Sequence, residues 1–514
     1  MLVLLAYVIG LVVACAAAVM LARRAFPPPV AKQRDNSAAL PPSATGTLAR
    51  AAGQAMDHPT QGKTGVAQLQ HGKSAFAARI VLANVAVSSI DVQYYAWRAD
   101  LTGYLLLDAL QRAANRGVRV RLLLDDSGTT GLDPELAALN AHPNIEVRLY
   151  NPFNLRRFKR LSHLFDFFRL NRRMHNKSFT VDGHATIMGG RNVGNEYYGT
   201  GNSVLFFDLD VLAIGAIVSE VSADFDKYWA APCVHLASLV LGQNHSADPI
   251  AKGLARFEGD PQYADYCNLT ESAEFESALA KGDLGLEWAH VLLISDDPVK
   301  GEGAVPREDL LAVRLMKAVG KIETKFDGIS PYLVPGRAGV NAFAKLTAKG
   351  VSVRMLTNSL DATDMLPVHA GYAKRRMQML RRGVGLFELH AQPGTKIPKA
   401  KIGPFGSSGS SLHAKTFAVD GKRIFIGSFN FDPRSTTLNT EMGLLIQSED
   451  MANGLHSAFD QGLAGIAWRV EKRGLRLVWI APESGEVCKH EPGTTLVRRI
   501  AIALIGWLPV EWLL

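Results

Sequence analysis

Short apolar runs of strand length alternate with helical stretches along this chain, and the alternation occurs twice in the same order. In the first occurrence Ile90-Asp91-Val92-Gln93-Tyr94-Tyr95 leads into a helical stretch at about 101–115. The strand Gly117-Val118-Arg119-Val120-Arg121-Leu122 follows, and then another from Ile145 to Tyr150. In the second occurrence Gly328-Ile329-Ser330-Pro331-Tyr332-Leu333 leads into a helix at about 338–348, then Gly350-Val351-Ser352-Val353-Arg354-Met355, then Val384 to Leu389. Gly117 and Gly350 stand 233 positions apart, each closing a helix and opening a strand. Such alternation predicts α/β units, and a repeat at this spacing predicts a tandem pair of sheets, each sandwiched between helices. The halves are placed at 66–240 and 285–470, with a connector over 241–284.

The two ends have a different pattern. Residues 1–22 contain no charged side chain and stop at Arg23 and Arg24, a stretch long enough to cross a bilayer as a helix. The absence of a basic segment ahead of it argues for an anchor over a cleaved signal peptide. Arg23, Arg24, Lys32 and Arg34 follow directly, and the positive-inside tendency then puts the body of the protein on the cytoplasmic side. Residues 25–65, with Pro27-Pro28-Pro29 and many small residues, have the composition of a flexible linker. In the tail, 471–514, the stretch from Ile500 to Leu514 is apolar except for Glu511, carries Trp507 and Trp512, and is preceded by Arg498 and Arg499. It suits either a helix lying among lipid headgroups or a segment docked on the protein's own core.

Composition narrows the class. A chain of 514 residues with 47% hydrophobic and 20% charged positions is neither disordered throughout nor a polytopic membrane protein. The net charge of +8 suits phosphates, anionic lipid or nucleic acid without choosing among them. Cys15, Cys233, Cys267 and Cys488 include no CxxC pair, which supports neither a zinc site nor a disulfide framework.

Each half carries the same spaced set of polar residues. The first reads His175-Asn176-Lys177-Ser178-Phe179-Thr180-Val181-Asp182-Gly183, then Gly189-Gly190-Arg191-Asn192. The second reads His413-Ala414-Lys415-Thr416-Phe417-Ala418-Val419-Asp420-Gly421, then Gly427-Ser428-Phe429-Asn430. His and Lys at i and i+2 project from one face of an extended segment, which places a nucleophile beside a cation. Asp-Gly is a hairpin signal, so the chain turns there and a second strand returns to the Gly. Lys177 and Lys415 supply the positive charge that phosphoryl transfer needs, while Asn192, Ser428 and Asn430 can donate to a bound phosphate. Glu441 and its counterpart Asp208 are carboxylates suited to hold the ring N–H of a catalytic His; Asp210 and Glu196 compete for the second position. The candidate catalytic set is therefore His175, Lys177, Asp182, His413, Lys415 and Asp420. For the two aspartates a turn-stabilising role outweighs direct proton transfer, since Asp before Gly favours turns. No acidic cluster with metal-ligand spacing accompanies the set, so metal-free chemistry without a cofactor is expected. Between 155 and 173 seven basic residues interleave with Phe158, Leu161, Leu164, Phe165 and Phe168 against one acid, Asp166, predicting an amphipathic basic helix suited to an anionic membrane surface. Gly406 to Ser411 is a candidate lid or loop.

Paired HxKxxxxD and G-[GS]-x-N motifs in tandem α/β halves resemble the phospholipase D superfamily over about 66–470. The wording is similar to that of bacterial cardiolipin synthases, particularly the C type. It rests on Arg173-Met174-His175-Asn176-Lys177, Ser428-Phe429-Asn430-Phe431-Asp432-Pro433-Arg434-Ser435, Asn439-Thr440-Glu441-Met442-Gly443 and the terminal Pro509-Val510-Glu511-Trp512-Leu513-Leu514. The resemblance implies two halves sharing one active site at their interface, an anchor in the bacterial inner membrane, and phospholipid substrates. It implies that His175 attacks phosphorus to give a phosphatidyl-histidine while His413 serves as acid and base. The acceptor is then phosphatidylglycerol, and the donor phosphatidylethanolamine or phosphatidylglycerol. The alternative is a phosphodiesterase hydrolysing phospholipid or nucleic acid; the apolar anchor argues against nucleic acid. No protein partner is identified. Gly190 stands where the second half has Ser428, which removes a hydroxyl from the first half.

Overall fold

Helices in both halves end on a glycine that only a left-handed backbone accommodates. Gly117 has φ +96° and Gly350 φ +85°, and the next residue's N–H reaches back to the helix, Val118 to the Ala113 carbonyl at 3.2 Å and Val351 to that of Leu346 at 3.1 Å. The chain thereby turns sharply into the second strand of each sheet. In this computed structural model residues 1–28, 37–56, 62–199, 206–242, 248–270, 273–281, 283–390, 411–461, 463, 466–481, 484–508 and 511 are described.

The repeat is a repeat of topology. In the first half Ser89–Ala96, Arg119–Gly128 and Ile145–Tyr150 run parallel, and Ser178–Val181, Ala185–Gly189 and Asp210–Gly215 add antiparallel beyond Ser89–Ala96. The second half has the same order, with Lys325–Ile329, Ser352–Asn358 and Gly385–Leu389 parallel and Thr416–Val419, Arg423–Gly427 and Met442–Ile446 antiparallel. Facing residues on the first two parallel strands form a buried ion pair in each copy: Arg121 Nε lies 2.7 Å from Asp91 and Arg354 Nε 2.7 Å from Asp327. Each half has its own core. A third apolar cluster, with Met188, Val211 and Ala213 from one half and Ile426, Met442 and Leu444 from the other, joins them.

Several boundaries differ from the sequence expectation. The stretch 25–65 is tied to the body where it is described: the helix Thr47–Met56 buries Leu48, Ala51 and Ala52 in the first core, and Arg121 donates to the Ser37 carbonyl at 2.6 Å. The helix Thr47–Met56 packs on the helix Ala273–Lys281 and against the strand Asp210–Gly215. Lys32 and Arg34 lie outside the described residues. The connector forms helices whose Ile250, Tyr266 and Leu279 complete the first core. Glu287–Ala289 pairs with Thr64–Leu69, so the first half reaches past 285, and the second sheet continues past 470 through the hairpin Ala467–Arg473 and Arg476–Ile480. The helix Leu496–Trp507 docks Ile502 against Leu366 and Ala370 while Leu496, Val497, Ile500, Leu504 and Trp507 stay exposed; Trp512 is outside the described residues.

The helix Leu2–Ala25 is long and apolar enough to cross a membrane, and none of its apolar window is buried in the protein. The expected single basic helix before His175 is instead a short turn, Lys159–Ser162, followed by His163–Leu170 with a kink at Asp166. Arg169, Arg172 and Arg173 turn inward, to Asp166, the Lys300 carbonyl and Asp125, because these acceptors are buried and need donors.

Candidate active site

The Asp-Gly turns are built as their sequence requires. Asp182 and Gly183 have φ +54° and +68°, Asp420 and Gly421 +54° and +66°, so both residues of each pair occupy the left-handed region. The Asp182 carboxylate accepts the backbone N–H groups of Val87, Ser88 and Ser89, and that of Asp420 those of Glu323, Thr324 and Lys325. Roughly 15 Å of chain separates Lys177 from Asp182. This corrects the inclusion of Asp182 and Asp420 among the catalytic residues: they clamp the hairpin to the head of the neighbouring parallel strand. Asp182→Ala is expected to destabilise the protein by about 2–4 kcal/mol through unsatisfied N–H groups and an unfavourable φ. Turnover per folded molecule should not change, which thermal unfolding and active-fraction measurements together will check.

At the other end of these strands the two motifs converge across the interface. Met174 pairs with Thr440, and the His175 N–H donates to the Thr440 carbonyl at 2.9 Å. In the complementary crossing the His413 N–H donates to the Phe207 carbonyl at 2.8 Å. The carboxylates cross as well. His175 Nδ1 lies 2.8 Å from Glu441 of the second half, and His413 Nδ1 lies 2.5 Å from Asp208 of the first. A carboxylate on Nδ1 requires the proton there, which leaves the Nε2 lone pair on each ring. Asp210, the competitor, instead pairs with Arg79 at 2.8 Å and Arg191 at 3.5 Å, and Glu196 pairs with Arg98 at 3.0 Å.

Both lysines fold back onto their own motif. Lys177 Nζ donates to the His175 carbonyl at 2.5 Å; Lys415 Nζ donates to the His413 carbonyl and lies 3.3 Å from its Nε2. His175 Nε2 has no hydrogen-bond partner among the described residues. Tyr95 meets the His175 ring edge-on at 5.0 Å, and Tyr197 does the same to His413. Neither tyrosine belongs to the spaced motif, although Tyr95 ends the repeated apolar run Ile90-Asp91-Val92-Gln93-Tyr94-Tyr95.

Burial dominates the electrostatics. It pulls His175 down to about 4 against the attraction of Glu441, with Lys177 adding to the fall. His413 is likewise pulled down by burial and Lys415. Lys177 falls to about 7 because it is buried and faces Lys415, Glu441 opposing. Burial raises Glu441 and Asp208, but His175 with Lys177 and Ser428 for the first, and His413 with Lys415 and Arg191 for the second, together outweigh it, and both carboxyls sit below their usual range. The site thus presents neutral rings between ionised carboxylates and two destabilised ammonium groups, an arrangement suited to receiving an anion.

The expected phosphate donors are only partly free for that task. The Ser428 hydroxyl is closed between the Met442 N–H at 3.0 Å and carbonyl at 3.2 Å. Asn192 accepts from the Ala96 N–H at 3.2 Å and donates to the Tyr197 hydroxyl at 2.9 Å. Asn430 Oδ1 is buried without a partner among the described residues. The Gly190 difference has a steric reason: a Cβ there would come within 2.0 Å of the Asp208 carboxylate. Two supports carry no motif signature. Asp296, paired with Lys300 at 2.7 Å, accepts the Glu441 N–H at 3.0 Å, and Asp125 accepts both Arg173 at 3.0 Å and the Met174 N–H at 2.8 Å. Asp125 lies in the strand Arg119–Gly128 and Asp296 just after the strand Val291–Ser295, both far from the motifs in sequence, so spacing could not find them. The candidate lid falls largely on 406–410, outside the described residues.

Comparison with known proteins agrees with this geometry. Residues 80–229 and 315–463 each match the cardiolipin synthase, PLD-like domain family. Cardiolipin synthase C of Escherichia coli (strain K12) is 48% identical over 463 residues, covering 89% of this chain and 97% of that protein. Cardiolipin synthase A of Pseudomonas aeruginosa (strain LESB58) is 25% identical over 409 residues, covering 79% and 68%. Among solved structures, phosphatidylserine synthase of Haemophilus influenzae Rd KW20 superposes with a TM-score of 0.53 at 15% identity, covering 91% of this chain and 100% of that one, and so shares the fold. With both halves matched and a relative this similar over nearly its whole length, the chain belongs to the cardiolipin synthase family of phospholipase D-like proteins.

Proposed function

We propose that this chain forms cardiolipin by transferring a phosphatidyl group to phosphatidylglycerol. The observation that carries the reading is the crossed pair of His–carboxylate contacts, which makes one site from two motifs. His175 Nε2, which has no hydrogen-bond partner among the described residues, attacks phosphorus. The bond from phosphorus to the donor's headgroup oxygen breaks, and that oxygen takes the Nε2 proton of His413, which takes up that proton from solvent as the anionic donor binds and enters the step as the imidazolium paired with Asp208. A terminal hydroxyl of phosphatidylglycerol then returns a proton to His413 and attacks phosphorus, which breaks the phosphorus–His175 bond. Lys177 and Lys415 neutralise the phosphoryl oxygens, and Asn430, whose buried Oδ1 has no partner among the described residues, binds the phosphate through its amide N–H groups. Asp208 and Glu441 orient the rings, with Asn192 and Ser428 holding the frame behind them. Phosphatidylethanolamine is the favoured donor on the strength of the C-type relative. We place the protein in the bacterial inner membrane with its body on the cytoplasmic side, as Arg23 and Arg24 at the end of the apolar helix favour.

Membranes carrying the wild type, supplied with labelled phosphatidylglycerol with and without phosphatidylethanolamine, test the reading through product masses. Cardiolipin that depends on phosphatidylethanolamine names the donor. Phosphatidic acid as sole product would make the enzyme a hydrolase that admits water.

Two further results are expected. Gly190→Ala pushes the Asp208 carboxylate off His413, and a misplacement of this kind costs about a hundredfold in kcat with folding intact. The pH dependence follows from Lys177. Below about 7 it is an ammonium ready for an anion; above that, binding must first take up a proton. kcat/KM therefore falls as pH rises through about 7, and Lys177→Arg, which keeps its charge, moves the limb to higher pH. A flat wild-type profile from pH 7 to 9 would contradict this.

A further inference from the structure

Next to the end of the strand Arg119–Gly128, outside the two-histidine centre, lies a cavity of about 820 Å³. Its walls come from the turn Ser127 to Gly131, the ring of Phe153, and the segment Arg156 to Leu161. Two of its cations are fixed. Arg156 is held by Asp126 and Asp133, and Lys159 Nζ lies 3.1 Å from Asp126. Arg157 and Arg160 are exposed and have no ion-pair partner among the described residues, so four cations stand against two acids. The wall therefore carries two fixed cations and two exposed ones in surplus, a charge that suits an anion.

The surroundings identify the source of that anion. Phe158, Leu161, Leu164 and Phe168 on the same segment are 58%, 49%, 75% and 70% exposed. The foot of the apolar N-terminal helix is fastened to this segment: Arg23 Nε donates to the Phe165 carbonyl at 2.6 Å, the Phe26 and Phe165 rings are 6.2 Å apart, and Asn154 donates to the Phe26 carbonyl at 2.8 Å. Where that helix enters a bilayer, these apolar side chains and the mouth of the cavity stand at headgroup depth. The inner wall, Phe153, is covered by the guanidinium of Arg173 at 5.1 Å, which separates the cavity from the chain entering His175.

We propose that this cavity binds the phosphodiester of an anionic phospholipid from the bilayer, as a site distinct from the catalytic one. It holds the first half against the membrane while the two histidines act on other lipid molecules. The inference shares with the proposed function only the bilayer as its setting, and it does not depend on which reaction is catalysed.

Purified full-length protein in zwitterionic micelles, labelled with photoreactive phosphatidylglycerol and mapped by peptide mass spectrometry, tests it. Label is expected on peptides spanning 153–163, reduced at least tenfold in Arg157→Glu/Arg160→Glu and retained in Arg157→Lys/Arg160→Lys. Phosphatidylglycerol should compete, whereas phosphatidylcholine and glycerol 3-phosphate at equal concentration should not. His175→Ala should label like the wild type, which separates this site from the fate of the catalytic reading. Label indifferent to charge reversal, or displaced equally by phosphatidylcholine, would overturn the proposal. So would equal competition by glycerol 3-phosphate, which would mark a site for soluble phosphate, or loss of label in His175→Ala, which would mark it as part of catalysis.

Discussion

Replacing His175 with alanine is expected to lower cardiolipin formation by about 10⁴-fold or more, with the fold intact. The size follows from removing a nucleophile that no neighbouring group can replace. Glu441 holds Nδ1–H, and among the described residues Nε2 has no partner. On His413 the Lys415 ammonium lies 3.0 Å from Nδ1 and 3.3 Å from Nε2, a cation beside the ring that suits exchange of a proton better than attack on phosphorus. The assignment is checked by quenching single turnovers of radiolabelled donor. His413→Ala should retain label on the peptide containing His175, because attack proceeds slowly without the acid while the second transfer lacks its base. Label on His413 in the His175→Ala protein would reverse the roles.

Much of this centre was legible because the chain states it twice. The matched offsets of His, Lys, Asp, Gly and Asn identified the hairpins, and the Asp-Gly pairs fixed where they turn. Glu441 and Asp208 were found as carboxylates suited to hold a ring, but not which ring each would hold. That choice is a property of the interface, where Thr440 pairs with Met174 and Phe207 receives His413, and no local spacing encodes it. The aspartates of the motif misled for a related reason. Their place in a repeated set suggested chemistry, whereas seven residues of mostly extended chain carry them away from the histidines to backbone N–H groups at the opposite end of the sheet. The basic run before His175 also misled. Its helical spacing was partly real, but buried carbonyls and carboxylates drew three of its arginines inward, and only tertiary contacts reveal which cations remain outside. The stretch 37–56 shows the converse: small residues look like a linker until the first half's core takes in Leu48, Ala51 and Ala52.

The crossing of carboxylates makes each half incomplete without the other. Asp208 leaves the first half's sheet to reach His413, and Gly190 has no side chain because the Asp208 carboxylate fills that space. Glu441 makes the reciprocal reach, its backbone N–H fixed by Asp296, whose carboxyl is pushed up to about 6 by burial against the pull of Lys300. Neither His takes its orienting carboxylate from its own half, so the halves acquire matched proton-transfer groups only when docked.

From this follows the second large effect. Asp208→Asn should lower kcat by about 10³- to 10⁴-fold while leaving KM for phosphatidylglycerol nearly unchanged. The amide is the same size and can still accept from Nδ1, so position is kept. What is lost is the negative charge that stabilises the His413 imidazolium, both when that ring protonates the leaving alcohol and when it takes the acceptor's proton. A neutral amide also lets its own N–H face Nδ1, which moves the ring proton to Nε2 and spoils the base. Asp210→Asn is the control. Its carboxylate touches Arg79 and Arg191 and neither ring, so its loss should lower thermal stability with kcat per folded molecule little changed. Should the two substitutions cost the same in kcat, Asp208 would be holding the interface rather than orienting the base. If only Asp208→Asn slows turnover, the proton carried by His413 depends on a charge supplied by the opposite half.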